Sequence, residues 1–371
     1  MEAGNYVSSK QAAQILGISV STVYRMVKKG VLTPSKTPGG QRRFDKKELE
    51  DYLEASKGIV APQNPYRAKN AERVTEEETT EILPHGELPD VDPRNRLNDL
   101  SGKEWIPATK SYMMQKGLGA NHPHTQIERQ HPAPYSFQDV AQLITFFTKR
   151  GQSVLDPFGG VGSTAKACAL HGRVCTQIEL SDRWHALAMK RLESEVGPGT
   201  AAEHTFIHGD CIPVLQEMAD NQFDFVITSP PYWSILNKKA DHKVTQTRVN
   251  QNLATTYSDS ERDLGNIPDY EAFLNILVND VFRECGRVLR TNQYMAIVVS
   301  DFRNKSEFIS FHSDLIQRIN HLPIVDGTVL NLQGIKILVQ NHKSLMPYGY
   351  PFAYVENIHH QYILIFRKMV P

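Results

Sequence analysis

From about Trp105 to the end of this 371-residue chain, short apolar segments alternate with amphipathic ones. The apolar segments have strand length, and the stretches between them have helical periodicity. In chain order they read QSVLDPF, STAKACALHG, RVCTQIEL, DRWHALAMKRLESE, HTFIHGD, a helix around IPVLQEM, DFVITSPPYW, DYEAFLNILVNDVFRECGRVLR and QYMAIVVSD. This alternation predicts an α/β fold with a doubly wound, mostly parallel sheet covered by helices on both faces. Two late segments, IKILVQN and QYILIFRK, are predicted to pair as a hairpin.

The segment TSPPYW ends one of these strands with two adjacent prolines. Proline donates no backbone hydrogen bond, so the strand stops at Ser229, and Pro230 and Pro231 make a stiff exit. Tyr232 and Trp233 are thereby held at the carboxyl end of the strand, where open α/β sheets bind ligands. Taken alone, the segment fits equally a strand terminator with two core aromatics.

The first strand of the series runs into DPFGGVGST, a glycine-rich turn that opens a helix. Glycines there allow the backbone to approach a ligand closely, although many α/β proteins have such a turn for packing alone. An acid also stands at the end of three successive strands, namely Asp156, Glu179 and Asp210. Acids in such places can accept hydrogen bonds from ribose hydroxyls. Together they favour a nucleoside-containing cofactor over simple strand-end caps.

The first 56 residues predict a separate helical module. YVSSKQAAQILGIS and SVSTVYRMVKKG each combine a serine cap, an apolar face and a glycine stop, and two such helices make a helix-turn-helix. A turn-rich hairpin, TPSKTPGGQRRF, and a third helix, DKKELEDYLEAS, follow. A generic three-helix bundle does not explain why the second helix and the hairpin are both cationic, whereas nucleic-acid binding does.

Composition places the chain among ordinary globular proteins, with zero formal net charge, 40% hydrophobic and 22% charged residues. The neutral total argues against a wholesale electrostatic nucleic-acid binder. No apolar run reaches the length of a membrane span, and MEAGNYVSSK has no signal-peptide core. The four cysteines form no CxxC pair, so neither a metal site nor a disulfide framework is indicated. We therefore expect a cytoplasmic protein without membrane contact.

Residues 57–104 are rich in Pro, Glu, Asn and Arg and lack apolar periodicity. This composition predicts a flexible linker. The expected organisation is therefore a DNA-binding module in residues 1–56, a linker in residues 57–104 and the α/β domain in residues 105–371.

AAQILGISVSTVYRMVKKGVLTP followed by PGGQRRF resembles the DNA-binding domain of excisionase and MerR-type regulators. The resemblance covers roughly the first 55 residues and implies a small all-α winged helix-turn-helix domain that binds double-stranded DNA. The residues it implies in the major groove are Ser21, Thr22, Tyr24 and Arg25. The wing residues it implies at phosphate or the minor groove are Arg42 and Arg43.

Residues 105–371 resemble the amino-directed DNA methyltransferases, class I enzymes that use S-adenosyl-L-methionine. The combination of HPAPYS, DPFGGVGST and TSPPYW carries this resemblance and is far more specific than any one of the three. The implied cofactor residues are His131, Pro134, Tyr135 and Ser136 at the methionine end, Asp156, Phe158, Gly160 and Gly162 around the centre, Glu179 at the ribose and Asp210 at the adenine. The implied catalytic residues are Ser229, Pro230, Pro231 and Tyr232, and no metal is implied.

This resemblance implies a chemical reason for the two prolines. An exocyclic amine on a base is a poor nucleophile, because its lone pair is delocalised into the ring. The enzyme has to hold that nitrogen in line with the sulfonium methyl group while the Ser229 hydroxyl and the Pro230 carbonyl accept its hydrogens. Tyr232 would stack on a base flipped out of the duplex. The C5-cytosine enzymes need a cysteine that typically follows proline, and no cysteine here does.

Within the family, SPPY favours N4 of cytosine, whereas NPPY or DPPY favours N6 of adenine. The main hypothesis is therefore a site-specific N4-cytosine DNA methyltransferase. An N6-adenine enzyme, a methyltransferase that doubles as a transcriptional regulator, and an RNA amino-methyltransferase remain alternatives, and a non-enzymatic scaffold is the weakest. The helix-turn-helix argues against RNA, because its helix does not enter an A-form major groove.

The chain departs from many relatives with SPPY, which place it before the glycine-rich turn. A large target-recognition segment is also not obvious, and residues 234–265 and 322–356 are the candidates. We expect a bacterial or phage-encoded protein of the restriction-modification type, with or without a cognate restriction endonuclease. The recognition sequence and the oligomeric state stay open.

Overall fold

The chain divides into two units, Met1–Glu81 and Ile82–Pro371, each with its own hydrophobic core. The computed structural model describes residues 6–16, 23, 26–27, 31–36, 42–56, 91–115, 118, 122–233, 258, 260–304, 306–340, 343 and 345–371. The four residues with predicted major-groove contacts, Ser21, Thr22, Tyr24 and Arg25, lie outside these ranges, as does most of the predicted linker.

The first unit combines helices with a small antiparallel sheet. Its elements are β1 (Tyr6–Ser8), α1 (Ser9–Ile15), β2 (Ser35–Lys36), β3 (Arg42–Asp45) and α2 (Lys46–Ser56), with further helical residues at 23, 26 and 27. Ser8 caps α1 and forms a capping box with Gln11, which is why the helix begins there. The sheet order is β1-β3-β2, so β2 and β3 form the predicted hairpin.

The core of the first unit contains the apolar faces that the sequence predicts. Ala12 and Val23 are fully buried, and they share one cluster with Phe44 of β3 and Leu49 of α2. The module departs from an all-α description because β1 extends the hairpin into a three-stranded sheet. Three residues are too few to show strand periodicity, so β1 could not be predicted.

The second unit contains a nine-stranded sheet surrounded by helices. Its strands are β4 (Tyr112–Met114), β5 (Ser153–Asp156), β6 (Val174–Glu179), β7 (Thr205–His208), β8 (Phe223–Thr228), β9 (Leu289–Val299), β10 (Phe302–Asn304), β11 (Glu307–Ile309), β12 (Leu322–Pro323), β13 (Val329–Val339) and β14 (His360–Met369), of which β10 and β11 form a separate hairpin. Its α-helices are α3 (Gly102–Ala108), α4 (Phe137–Phe147), α5 (Ser163–His171), α6 (Asp182–Glu195), α7 (Cys211–Glu217), α8 (Tyr270–Ile276), α9 (Arg283–Val288) and α10 (Phe311–Ile319). A π-helical segment, Leu277–Phe282, joins α8 to α9, as the long amphipathic stretch in the sequence predicts.

The strand order explains where a ligand can bind. The sheet runs β12-β13-β14-β9-β8-β5-β6-β7, with β4 beside β13. Strands β7, β6, β5, β8 and β9 are mutually parallel, whereas β14 is antiparallel to both β9 and β13. This order, with β14 inserted antiparallel, is that of the class I methyltransferase fold, so the fold prediction and the predicted late hairpin are confirmed. The order reverses between β5 and β8, which is the position where open α/β sheets bind ligands.

Side-chain alternation along the strands divides the core into two layers. Leu155 and Val226 pack against α8, α9 and α10, while their neighbours Val154 and Phe225 pack against α4 and α5. Continuous apolar strands of this kind are buried on both faces, as in doubly wound folds.

The end of the predicted linker packs against the second unit. Asn98 is fully buried, and its Nδ2 donates a hydrogen bond to the carbonyl oxygen of Phe146 at 2.6 Å. Asp99 accepts a hydrogen bond from the backbone N–H of Arg150 at 2.8 Å. Residues 91–104 therefore belong to this unit, because polar side chains anchor them where apolar periodicity is absent. Among the described residues, no helix has the length and hydropathy to cross a membrane.

Candidate active site

A cleft of about 860 Å³ lies at the carboxyl ends of β5, β6, β7 and β8. Its volume is that of a small-molecule site. Ten of the fourteen predicted cofactor and catalytic residues line it: His131, Pro134, Tyr135, Phe158, Gly160, Glu179, Asp210, Ser229, Pro230 and Pro231. The strands hold these side chains together because parallel strands end at one edge of the sheet.

Asp156 lies beneath the cleft rather than in its wall. Its fully buried carboxylate accepts hydrogen bonds from Tyr135 Oη at 2.6 Å, Thr228 Oγ1 at 2.7 Å and the Phe158 N–H at 3.1 Å, as well as from Thr164 Oγ1. Burial raises the pKa of Asp156 despite these donors. The predicted contact between Asp156 and the cofactor is therefore replaced by an indirect role, in which Asp156 fixes two residues that do line the cleft.

The two predicted glycines have different surroundings. Gly160 has a φ of +50°, and a Cβ there would lie 3.6 Å from the ring of His131, so the turn passes close to that imidazole. Gly162 has a φ of +77°, and a Cβ there would lie 3.0 Å from Cβ of Ala188 in α6. Gly162 thus serves helix packing, whereas Gly160 borders the cleft.

Glu179 ends β6 with its carboxylate in the cleft wall. Oε2 accepts a hydrogen bond from the N–H of Gly160 and Oε1 from the N–H of Ser181, each at 2.8 Å. Each carboxylate oxygen can accept a second hydrogen bond, so two hydroxyl groups of a ligand can still be bound. Burial, with a smaller contribution from the Asp263 carboxylate, raises the pKa of Glu179 to about 7.

Several lining residues were not predicted from the sequence. Trp184 of α6 is buried, and its ring meets the edge of His131 with 5.0 Å between centroids. Arg262, Asp263 and Leu264 come from the segment proposed above for target recognition, yet they line the cleft. Their position depends on how a distant loop folds back over the sheet, which no local spacing indicates.

A second cavity adjoins the cleft. It shares Pro134, Tyr135 and Ser229 with the cleft, and Ser136 and Tyr232 line it as well. Ser136 also caps α4 by accepting a hydrogen bond from the Gln138 N–H at 3.3 Å. The predicted residues thus divide between two adjoining spaces that meet at Ser229.

The wall of the second cavity contains a further acidic residue that the sequence did not indicate. Asp301 follows β9 and binds Nδ1 of His312 at 2.7 Å, and the His312 ring stacks on Tyr362 with 3.7 Å between centroids. The Tyr232 hydroxyl accepts a hydrogen bond from Gln361 Nε2 at 3.2 Å. Trp233, expected to wall the pocket, instead donates from Nε1 to the carbonyl oxygen of Ile267 at 2.9 Å.

Buried ion pairs hold the segment that contains His131. Arg191 is fully buried and contacts Glu128 at 2.6 Å and Glu195 at 3.0 Å. Lys166, also fully buried, contacts Glu195 at 2.6 Å, and burial lowers the pKa of Lys166 to about 8. Arg191 also donates to Ser163 Oγ at 3.0 Å at the start of α5. One guanidinium therefore joins the segment before α4 to the glycine-rich turn.

In the first unit, β3 contains both predicted wing residues. Arg42 is exposed and Arg43 is half-buried, and they pair with Lys36 and Ser35 of β2. Across the described ranges of the whole chain, no three His, Cys, Asp or Glu side chains are grouped as a metal site.

Residues 6–57 match the family model described as "Helix-turn-helix domain". The first unit is a helix-turn-helix domain. A curated protein of Escherichia coli (strain K12), "Putative methylase YubD", is 39% identical over 64 residues, which are 17% of this chain and 28% of that protein. The chain thus aligns with only a small part of that relative's length.

Solved structures of methyltransferases are partly similar. TrmN from Thermus thermophilus is 13% identical over 62% of this chain and 48% of its own, with a TM-score of 0.37. TTHA0409, also from Thermus thermophilus and described as a DNA modification methylase complexed with S-adenosyl-L-methionine, is 27% identical over 43% of this chain and 54% of its own, with a TM-score of 0.28.

Proposed function

We propose that this chain is an S-adenosyl-L-methionine-dependent DNA methyltransferase that acts on an exocyclic amino group. The observation that carries this proposal is the cleft at the switch point, where the segments HPAPYS, DPFGGVGST and TSPPYW meet although they are far apart in the chain. The short alignment with a protein named a methylase and the helix-turn-helix domain also support it.

The residues of the cleft fit this cofactor. Glu179 offers acceptors for two ribose hydroxyls, Asp210 lines the cleft at the end of the next strand, and Phe158 and His131 supply flat apolar surface. When bound, the cofactor supplies an electrophilic methyl group on a sulfonium. Because Tyr135 is fixed by Asp156 and borders both cavities, it defines the passage between cofactor and substrate.

The second cavity is the proposed place of the flipped-out base. The Ser229 hydroxyl and the Pro230 carbonyl accept the amino hydrogens, so that the nitrogen lone pair points at the methyl carbon. The new nitrogen–carbon bond forms as the carbon–sulfur bond breaks, and the amino proton then leaves to water. Tyr232 lines this cavity and provides a ring beside the base. The serine in SPPY favours N4 of cytosine over N6 of adenine.

The test is methyl transfer from labelled cofactor to duplex DNA of varied sequence, followed by mass spectrometry of the nucleosides. We expect N4-methylcytosine, and N6-methyladenine would retain the enzyme class but contradict the base assignment. Ser229→Ala should lower kcat about 100-fold or more by removing an acceptor at the reacting nitrogen. Tyr232→Ala should lower it as well, with cofactor binding unchanged in both variants. Full activity in both would contradict the proposal.

A further inference from the structure

The loop between β13 and β14 exposes an unusual set of aromatic rings. We refer to residues 345–355, LMPYGYPFAYV, as the aromatic loop; it has no charged residue, and a ring occupies every second position from 348 to 354. Phe352 is 94% exposed, Tyr354 83% and Tyr350 80%. Single exposed apolar side chains are ordinary, but a contiguous set of large ones indicates a binding surface.

Hydrogen bonds within the aromatic loop fix its shape. Asn357 closes its base by accepting from the Met346 N–H at 2.8 Å and donating to the Met346 carbonyl at 2.9 Å. Gly349 has a φ of +72°, and a Cβ there would lie 2.3 Å from the carbonyl oxygen of Ala353. The N–H groups of Phe352 and Ala353 both donate to the Gly349 carbonyl at 2.7 Å. Rings on a loop closed in this way are presented at a low entropic cost of binding.

Both ends of the aromatic loop border the second cavity. Gln340 and Lys343 line that cavity just before the loop, and Gln361 lines it just after. Gln340 Nε2 donates to Gln361 Oε1 at 3.2 Å, and Gln361 Nε2 donates to the Tyr232 hydroxyl at 3.2 Å. The loop therefore rises from the rim of the space where we place the target base, with a hydrogen-bonded link to the catalytic segment.

We propose that the aromatic loop stacks on the DNA bases next to the flipped-out target base. This inference rests on the proposed function and names the contact that stabilises the opened duplex. Extruding a base leaves unstacked neighbours, and apolar side chains inserted between base steps offset that loss. Aromatic rings stack on any base because every base has a π-face, so the loop needs neither charge nor hydrogen-bond readout.

The composition around the loop favours nucleobases over a lipid surface. Membrane-surface segments place lysine or arginine beside their aromatic residues to contact anionic headgroups. No lysine or arginine occurs from Leu345 to Phe366. Continuity with the second cavity also fits DNA, since a lipid surface has no reason to be next to Ser229 and Tyr232.

A tryptophan reporter tests the contact without requiring catalysis. Phe352→Trp adds a fluorophore to the loop, and its emission is obtained by subtracting that of the unchanged chain at equal concentration. We expect saturable quenching as duplex DNA is added in the presence of S-adenosylhomocysteine, because the indole stacks on bases. Duplex binding is followed independently by the anisotropy of a labelled duplex. Binding without quenching would overturn the inference and leave the proposed methyl transfer intact.

Two other outcomes of the same titration would also overturn it. An emission change that depends on protein concentration alone would show that a second copy covers the loop. An emission change with vesicles of anionic lipid, but none with duplex, would show a membrane surface instead. Absence of methyl transfer together with quenching by DNA would contradict the proposed function but support the loop contact.

Substitutions separate stacking from general hydrophobic contact. We expect the combined change Tyr350→Ala, Phe352→Ala and Tyr354→Ala to weaken duplex binding about tenfold or more. The corresponding leucine variant should be equally weak, whereas phenylalanine at positions 350 and 354 should retain binding. Leucine variants that bind as well as the unchanged chain would contradict stacking.

The matched control is Val325→Ser, which removes an 83% exposed apolar side chain in the turn that precedes β13, at the opposite end of that strand from the loop. It should leave duplex binding unchanged. The affinity for S-adenosyl-L-methionine should be the same in all of these variants, because no substituted side chain lines the cofactor cleft. Asn357→Ala, which opens the base of the loop, should give an intermediate loss of duplex binding.

Discussion

At the scale of single residues, Glu179 links protonation to cofactor binding. Its pKa of about 7 means that half of the molecules hold a neutral carboxyl near neutral pH. Two ribose hydroxyls donate best to the ionised form, so binding favours loss of the proton. We expect the affinity for S-adenosyl-L-methionine to rise about tenfold from pH 6 to pH 8 and then to level off.

Calorimetric titration over that pH range measures this effect. Glu179→Gln is the matched control, since the amide keeps the shape but does not ionise. Its affinity should be about 1–2 kcal/mol weaker at pH 8 and nearly independent of pH. An affinity of the unchanged chain that stays constant from pH 6 to pH 8 would exclude the proposed role of this carboxylate.

Asp156 is predicted to act on stability as well as on the cleft. Replacing it by alanine leaves four buried donors without their acceptor, among them the Tyr135 hydroxyl and the Phe158 N–H. The free energy of unfolding should fall by about 3 kcal/mol or more, as measured by urea denaturation. Asp156→Asn, which keeps one acceptor oxygen, should lose less. Equal stability of the alanine variant would show that these donors find other partners.

At the scale of elements, the buried ion pairs fix the start of α5 and the segment before α4 relative to α6. Glu195→Gln removes the anion that faces both Lys166 and Arg191, whose side chains are fully buried. Because a buried charge without its partner is costly, we expect the free energy of unfolding to fall by about 3–5 kcal/mol.

The exposed pair Arg318–Glu271 is the control for that prediction. Its atoms approach to 2.5 Å, but 70% of the Glu271 side chain is accessible. Glu271→Gln should therefore change the free energy of unfolding by less than about 1 kcal/mol. Similar losses in both variants would mean that the network at Glu195 is not effectively desolvated.

What could be predicted at this scale depended on local pattern. The glycine-rich turn, the acids at strand ends and the proline pair each follow from residues adjacent in sequence, and ten predicted residues do meet in one cleft. The short strands β4, β10 and β12 give no periodicity, and their pairing is decided by tertiary contacts. Trp184 and Arg262 reach the cleft through the packing of separate segments, while Asp156 is withdrawn below it by four donors. These placements require three-dimensional information that spacing does not contain.

At the scale of the whole molecule, the two units have separate cores, and every residue that lines the cleft belongs to the second unit. A chain of residues 82–371 should therefore bind S-adenosyl-L-methionine within about twofold of the full-length affinity, since distant sites act independently. Removing the helix-turn-helix domain also removes Arg42, Arg43 and the other basic residues of the first unit.

Duplex binding should respond differently to this truncation. Removing one lysine or arginine from a phosphate flattens the slope of log affinity against log salt by about 0.9, so the shortened chain should bind duplex DNA more weakly at low salt and with a flatter salt dependence. Arg42→Ala with Arg43→Ala in the full chain should reproduce part of that change, and anisotropy titrations at several salt concentrations measure both. An unchanged slope would assign the phosphate contacts to the second unit, leaving the helix-turn-helix domain with a role other than holding the DNA on which the methyltransferase acts.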